Sequence, residues 1–307
     1  MHYMKKLSVL LILAFLSLGF AGQACEAGIF ANHKARIEKN KIEKTILSDI
    51  KKVIEKQDEF ANQHDLNKLK FLYSSDFVNS DGFDREVYFK MIDDTWKTYP
   101  DISYKTTIKN IDHSDNYATV LVEEISVSAP VERIGEFDTI GELYSVSKCV
   151  YHLEKQGLAW KISSEKIIEE TTSLKFGEAR YMDIELNAPK QIGSGKYYTT
   201  TLKVKAPENA TVVASINREK TVYTQSKSED VFRRVSDGTL ERVFTSNTDN
   251  INEYTVASVG VTHAENYDEK YIRIYMNGMA FLMTRVNVIP ENKFIDLTND
   301  EKDKKHE

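Results

Sequence analysis

The apolar pattern of this chain changes period once, at Pro100, and that change decides what it can fold into. Before it, Ile42, Ile46, Ile50, Val53, Ile54 and Phe60 recur at three- and four-residue steps between charged residues. This spacing predicts an amphipathic helix from Lys34 to about Gln63. His64-Asp65 breaks the pattern, Asp65 suits the N-cap of a short helix carrying Leu66, Leu69 and Leu72, and Asn79-Ser80-Asp81-Gly82 is a turn cluster. Asp84 caps a third helix holding Val87, Phe89, Met91, Ile92 and Trp96, which stops near Pro100 because the residue before a proline is driven out of the helical region. After Pro100 the period is two. Ser103 to Ile111, Tyr117 to Ser128, Gly141 to Lys155 and Ala159 to Glu169 read as strands, with turns at Asn116, Pro130 and Gln156-Gly157. Three helices followed by long strands predict an α+β domain over residues 41–175, in which a curved antiparallel sheet wraps its helices.

A second segment, from about Met182 to Pro290, is strand-rich throughout. Tyr197 to Lys205, Thr211 to Ile216, Thr221 to Thr224, Leu240 to Phe244, Glu253 to Thr262, Tyr271 to Met276 and Met279 to Val288 are the expected strands. Turn signals fall at Gly193-Ser194-Gly195, Pro207-Glu208-Asn209, Asp237-Gly238 and Asn277-Gly278, the last read as a two-residue hairpin. The pattern predicts an all-β, immunoglobulin-like sandwich over 181–291, without the paired cysteines and intervening Trp of antibody-type members. The boundary falls near Thr172 to Arg180, and residues 292–307 form a charged tail expected to be disordered.

The first residues carry an address. Lys5 and Lys6 precede an apolar run from Leu7 to Phe20, shorter than a membrane-crossing helix needs, and small residues follow at Ala21, Gly22 and Ala24. Residues 1–24 therefore read as a secretory signal peptide and 25–40 as a leader, giving a periplasmic, cell-envelope or extracellular protein. Cys25 stands where a bacterial lipoprotein carries its lipid, but Gly22 and Gln23 make a poor lipobox, so ordinary cleavage is favoured. A membrane partner is expected only if Cys25 is lipidated. Cys149 is then left without a disulfide partner and reads as packing in a strand. No Cys/His cluster has zinc spacing, and no metal or cofactor is expected. Net charge is −6, or −8 once Lys5 and Lys6 leave with the signal peptide. An acidic chain with no basic stripe argues against nucleic acid.

Three stretches resemble the NTF2-like superfamily, in its SnoaL-like and DUF4440-like branch. They are Asp65-Leu66-Asn67-Lys68-Leu69 leading into Phe71-Leu72-Tyr73-Ser74-Ser75-Asp76-Phe77, the helix from Arg85 to Pro100, and the closing Gly157-Leu158-Ala159-Trp160-Lys161-Ile162. The resemblance covers residues 40–170. It implies a cone-shaped pocket between a bent sheet and three helices, used by different relatives for isomerisation, dehydration, polyketide cyclisation or no chemistry. It also implies that pairing of two copies through the sheet is available.

Within such a cone the candidates are Tyr73, Asp76, Trp96, Glu124, Tyr144 and His152, which combine aromatic walls with polar tips. The plain alternative is that Tyr73 and Trp96 are core aromatics and Asp76 a turn residue. His152 is the candidate acid or base with Asp76 as its orienter, and one of Glu123 and Glu124 must face inward because neighbours in a strand point to opposite sides. Asp112, His113 and Asp115 form a polar turn, too local for a metal site. Arg218, Arg233, Arg234 and Arg242 are interspersed with Glu219, Glu229, Asp230 and Glu241, an ordinary mixed surface. The sequence thus favours a non-catalytic exported protein that binds a protein, glycan or small ligand. An exported enzyme of isomerase, dehydratase or hydrolase type is the alternative.

Overall fold

The computed structural model describes residues 36–134, 137–224, 229–266 and 270–291. The expected signal peptide, Cys25 and the charged tail lie outside them. The chain divides into two compact units, residues 1–52 and 53–307. The described part of the first unit is helical, and that helix, α1, runs on to residue 62. Ile46, Ile50, Val53 and Ile54 are buried along it, whereas Ile42 is exposed. All elements below belong to the second unit.

The two capping predictions hold atom by atom. Asp65 accepts from the Lys68 backbone N–H at 3.0 Å and opens α2 (Leu66–Phe71), and Asp84 accepts from Val87 N–H at 2.9 Å and opens α3 (Arg85–Thr98). Between them lies β1 (Tyr73–Asn79), a strand absent from the sequence reading, which pairs in parallel with a strand more than eighty residues further on. The long strands follow as β2 (Ser103–His113), β3 (Tyr117–Ser128), β4 (Val131–Ile134), β5 (Phe137–Gln156) and β6 (Ala159–Gly177). Phe77, Phe89, Val120, Val122, Tyr151, Leu153 and Ile162 are each at most 1% exposed. Burying side chains of this size contributes roughly 1.5–3 kcal/mol apiece. Helices with an antiparallel sheet built from β2, β3, β5 and β6 give the α+β layout expected for this part of the chain.

The C-terminal segment adds β7 (Ile184–Asn187), β8 (Gln191–Gly193), β9 (Tyr197–Val204), β10 (Ala210–Lys220), β11 (Arg233–Arg234), β12 (Thr239–Thr245), β13 (Glu253–Asn266) and β14 (Ile272–Ile289). One sheet runs β11-β10-β13-β14-β6-β5-β3-β2, with β1, β4 and β8 attached, and β12-β9-β7 form a second, three-stranded sheet. Met182, Leu186, Leu202, Val212, Ile216, Val259 and Leu282 belong to the buried apolar cluster of this part. The strand-rich prediction is thus observed, but β6 passes straight through the expected boundary. One edge of β6 pairs first with β1 and then, from Thr171 to Gly177, with β14, so both segments share a sheet.

Two local readings are corrected. Thr221 to Thr224 is not a strand. Asn277-Gly278 is not a hairpin turn but sits within β14, where the pairing slips between Val261–Gly278 and Thr262–Met276 and leaves Asn277 as a bulge. The Asn amide is claimed by Glu178 at 2.7 Å, which favours the bulge over a turn. The neighbouring Gly177 has φ +56°, and a Cβ there would fall 2.1 Å from the Asn277 carbonyl oxygen. Gly177→Ala is therefore expected to cost about 2 kcal/mol or more, from both backbone strain and the clash, readable as a lowered midpoint in urea unfolding.

Candidate functional site

Helical spacing on α3 sets Tyr88, Met91, Ile92 and Thr95 toward one cavity of about 590 Å³, which Tyr99 at the helix C-cap also lines. Across from them stand Ser126 of β3, Leu143 and Ser145 of β5, and Ile167, Glu170, Thr172 and Leu174 of β6. The alternation along β6 changes phase because Ile168 is left over between the pairs Lys148–Glu169 and Cys149–Ile167. That bulge turns Glu170, rather than Glu169, toward the cavity. Thr221, Val222, Tyr254, Val256, Phe281, Leu282 and Met283 complete the wall, so the C-terminal segment supplies part of the lining.

A smaller recess of about 120 Å³ shares Tyr88, Ile92 and Tyr104 with this chamber. Its lining is more polar: Gln57, Asp58, Tyr73, Trp96, Thr106, Glu124 and Tyr151. Gln57 donates to the hydroxyls of Tyr73 at 3.1 Å and Tyr151 at 2.8 Å, and Tyr151 donates to Glu124 at 2.7 Å. Asp58 accepts from the backbone N–H and the hydroxyl of Thr106, both at 3.0 Å. Trp96 donates to the Tyr104 hydroxyl at 3.1 Å and stacks on His64. Burial raises the pKa of Glu124 and of Asp58, because taking the carboxylate out of water outweighs the hydrogen bonds that favour the charged form. Behind Glu124 lies Glu165, 5% exposed, whose pKa burial and the nearby Glu124 push up to about 8.

At the rim, Asp81 and Arg285 form a fully buried ion pair at 2.5 Å. Asn252 donates to the same Asp81 at 2.7 Å, and Arg285 donates to the Tyr254 hydroxyl at 3.1 Å, which itself donates to Glu170 at 2.5 Å. Burial opposes the charge of Arg285, yet the Asp81 carboxylate more than offsets it and holds the guanidinium pKa above its usual value.

Of the candidates from sequence, Tyr73, Trp96 and Glu124 meet in the recess. The other three do not. Asp76 is bonded to the hydroxyl of Ser74, which lowers its pKa, on an exposed part of β1. Tyr144 is 45% exposed, because Leu143 and Ser145 on either side face the chamber. His152 faces away from the recess, since its neighbour Tyr151 faces in, and its Nδ1 lies 3.2 Å from the Thr119 hydroxyl. Pairing His152 with Asp76 is therefore corrected. In the C-terminal segment, Arg218 pairs with buried Glu253 at 3.3 Å and Arg242 bonds Asn217 at 2.9 Å, both structural contacts. Sequence reading missed Gln57, Asp58, Tyr88, Tyr104, Tyr151, Glu165 and the Asp81–Arg285 pair. Period-two spacing separates Tyr151 from His152 and Glu165 from its neighbours by face, but only the register says which of the two faces is inward.

No protein-family model and no curated protein matches the sequence. Among solved structures, the chain is similar to a protein from Novosphingobium aromaticivorans provisionally named a scytalone dehydratase, at 16% identity and TM-score 0.36, over 42% of this chain and 86% of that one. It is similar to a type 2 hexachlorocyclohexane dehydrochlorinase (LinA) at 10% identity and TM-score 0.34, over 42% and 87%. A provisionally named dehydratase of the NTF2-like family from Streptomyces avermitilis is similar at 14% identity and TM-score 0.32, over 41% of this chain and 98% of its own.

Proposed function

We propose that the cone, together with the strands that complete its lining, binds a small and mainly apolar molecule carrying one or two hydrogen-bonding groups. The observation that carries this reading is the joining of an apolar chamber of about 590 Å³ to a polar recess of about 120 Å³ through shared walls. Binding cavities for small molecules fall at roughly 300–1,000 Å³ and are apolar with a few placed polar groups. The apolar body fits against Met91, Leu143, Leu174, Phe281 and Met283, and the polar end reaches the tyrosine hydroxyls of the recess. Burial of Asp58 and Glu124 in that recess disfavours an anionic end.

In this reading the chain is exported on residues 1–24, and its C-terminal layers act as an immunoglobulin-like module that closes the site. An acid/base enzyme on a small hydrophobic substrate is the second reading, and the placement of the Asp58 carboxyl in the recess favours it. Binding comes first because that carboxyl is already engaged twice by Thr106.

The test is binding of the neutral fluorophore N-phenyl-1-naphthylamine. Wild-type protein is expected to bind it with enhanced emission, and Ser126→Trp, which fills the chamber from β3, is expected to weaken binding at least tenfold. Absence of binding by the folded wild type, or equal binding by a folded Ser126→Trp, would remove the reading.

A further inference from the structure

Three neighbouring strands place Glu124 of β3, Cys149 of β5 and Glu165 of β6 together on the inner face of the sheet. In the register Glu124 lies opposite Ser147 and Glu165 opposite Tyr151, so each carboxylate is diagonal to Cys149. One oxygen of each carboxylate and the sulfur of Cys149 lie within 4.8 Å of one another. The Cys149 Sγ to Glu124 Oε2 separation is 3.9 Å. Two ligands of a tetrahedral zinc ion, with Zn–S near 2.3 Å and Zn–O near 2.0 Å, stand about 3.5 Å apart, so a small adjustment brings the set to bonding geometry.

Cys149 donates weakly to Glu124 at 3.9 Å and to the Ser147 hydroxyl at 3.5 Å, yet one oxygen of the cluster is left unsatisfied. Glu165 is 5% exposed, and its Oε2 is buried with no hydrogen-bond partner. Among the described residues, none of the three forms an ion pair with a lysine, arginine or histidine. Buried charges in proteins are paired or coordinate a metal. Tyr151 donates to the other oxygen of Glu124 at 2.7 Å, so this carboxylate is oriented by a tyrosine hydroxyl in the manner of the groups that steer metal ligands from behind.

The geometry points to a site for one divalent cation of the zinc class, held by the thiolate of Cys149 and the carboxylates of Glu124 and Glu165. A mixed thiolate and carboxylate set suits zinc or cobalt(II) rather than calcium or magnesium, which take oxygen ligands alone. Glu124 also lines the inner recess, so the ion is reached from the cavity. The inference does not depend on the cavity holding an organic ligand.

The experiment is titration of tag-free, metal-stripped protein with cobalt(II), followed by absorption. One equivalent is expected to produce a thiolate-to-cobalt charge-transfer band that zinc(II) abolishes by competition. Cys149→Ser is expected to lose the band, Glu165→Gln to weaken binding at least tenfold, and Tyr151→Phe to weaken it about 10–100-fold, the usual cost of losing a group that orients a ligand. Near-ultraviolet circular dichroism checks that each variant is folded. The wild-type spectrum needs no variant: absence of the band at one equivalent of cobalt overturns the site. A band that survives Cys149→Ser, or binding indifferent to Glu165→Gln, overturns it as well.

Discussion

Arg285→Met, with Asp81 left in place, is expected to destabilise the protein by about 3–5 kcal/mol, the cost of stranding one partner of a buried ion pair. Arg285 is 1% exposed and donates to both oxygens of Asp81, to the Tyr254 hydroxyl and to Asn287. Its loss leaves the Asp81 carboxylate with Asn252 as its remaining side-chain donor. The double variant Asp81→Leu/Arg285→Met should recover a large part of the loss, since an apolar pair of similar volume often matches or exceeds a buried ion pair. Urea unfolding of the two single variants and the double gives the coupling between the sites. Additive losses, with no recovery in the double, would show that the pair does not act as a unit. The consequence reaches the cavity, because Asp81 comes from the β1–α3 turn, Arg285 from β14, and Asp81 and Tyr254 both line the chamber.

The metal-free protein is expected to lose stability as pH rises from about 4.5 to about 8. Glu165 keeps its proton in the folded state up to about pH 8, whereas the unfolded chain releases it near 4.5. Below 4.5 both states are protonated and the contribution is whole. Above that pH the unfolded state gains by ionising, until the folded carboxyl also ionises near 8. The loss is at most about 5 kcal/mol, from roughly 1.36 kcal/mol per pKa unit. Glu124 and Glu170, raised by the same burial, act in the same direction. Glu165→Gln keeps the shape of the side chain and removes the titration, so its unfolding free energy should be flatter between pH 5 and 8. Parallel curves for wild type and variant across that range would refute the assignment.

How much of this was legible depended on how local each feature is. Both helix caps were readable because an Asp and the N–H three residues later are set by chain geometry alone. The long strands were readable because period two survives over ten residues and more. Strand β1 was not, since Tyr-Ser-Ser-Asp-Phe-Val-Asn has no clean alternation and is fixed by parallel pairing with β6. Asn277-Gly278 carries the strongest short hairpin signal in the chain, and yet pairing of β14 with β13 and β6 on its two edges overrides it.

The site shows the same division. Tyr73, Trp96 and Glu124 were reachable by pattern, whereas His152 was misplaced by one step of a strand, enough to turn a side chain to the opposite face. Propensity, capping and periodicity act within a few residues, and they set the helices, the long strands and the stock of aromatic and acidic side chains available to line a cavity. Long-range pairing, by contrast, is what joins the two segments in one sheet through β6, turns Glu170 inward at the Ile168 bulge, and brings Glu124, Cys149 and Glu165 together. Those outcomes depend on register between strands far apart in the chain, and register is chosen by the packing of a whole face at once rather than by any one segment.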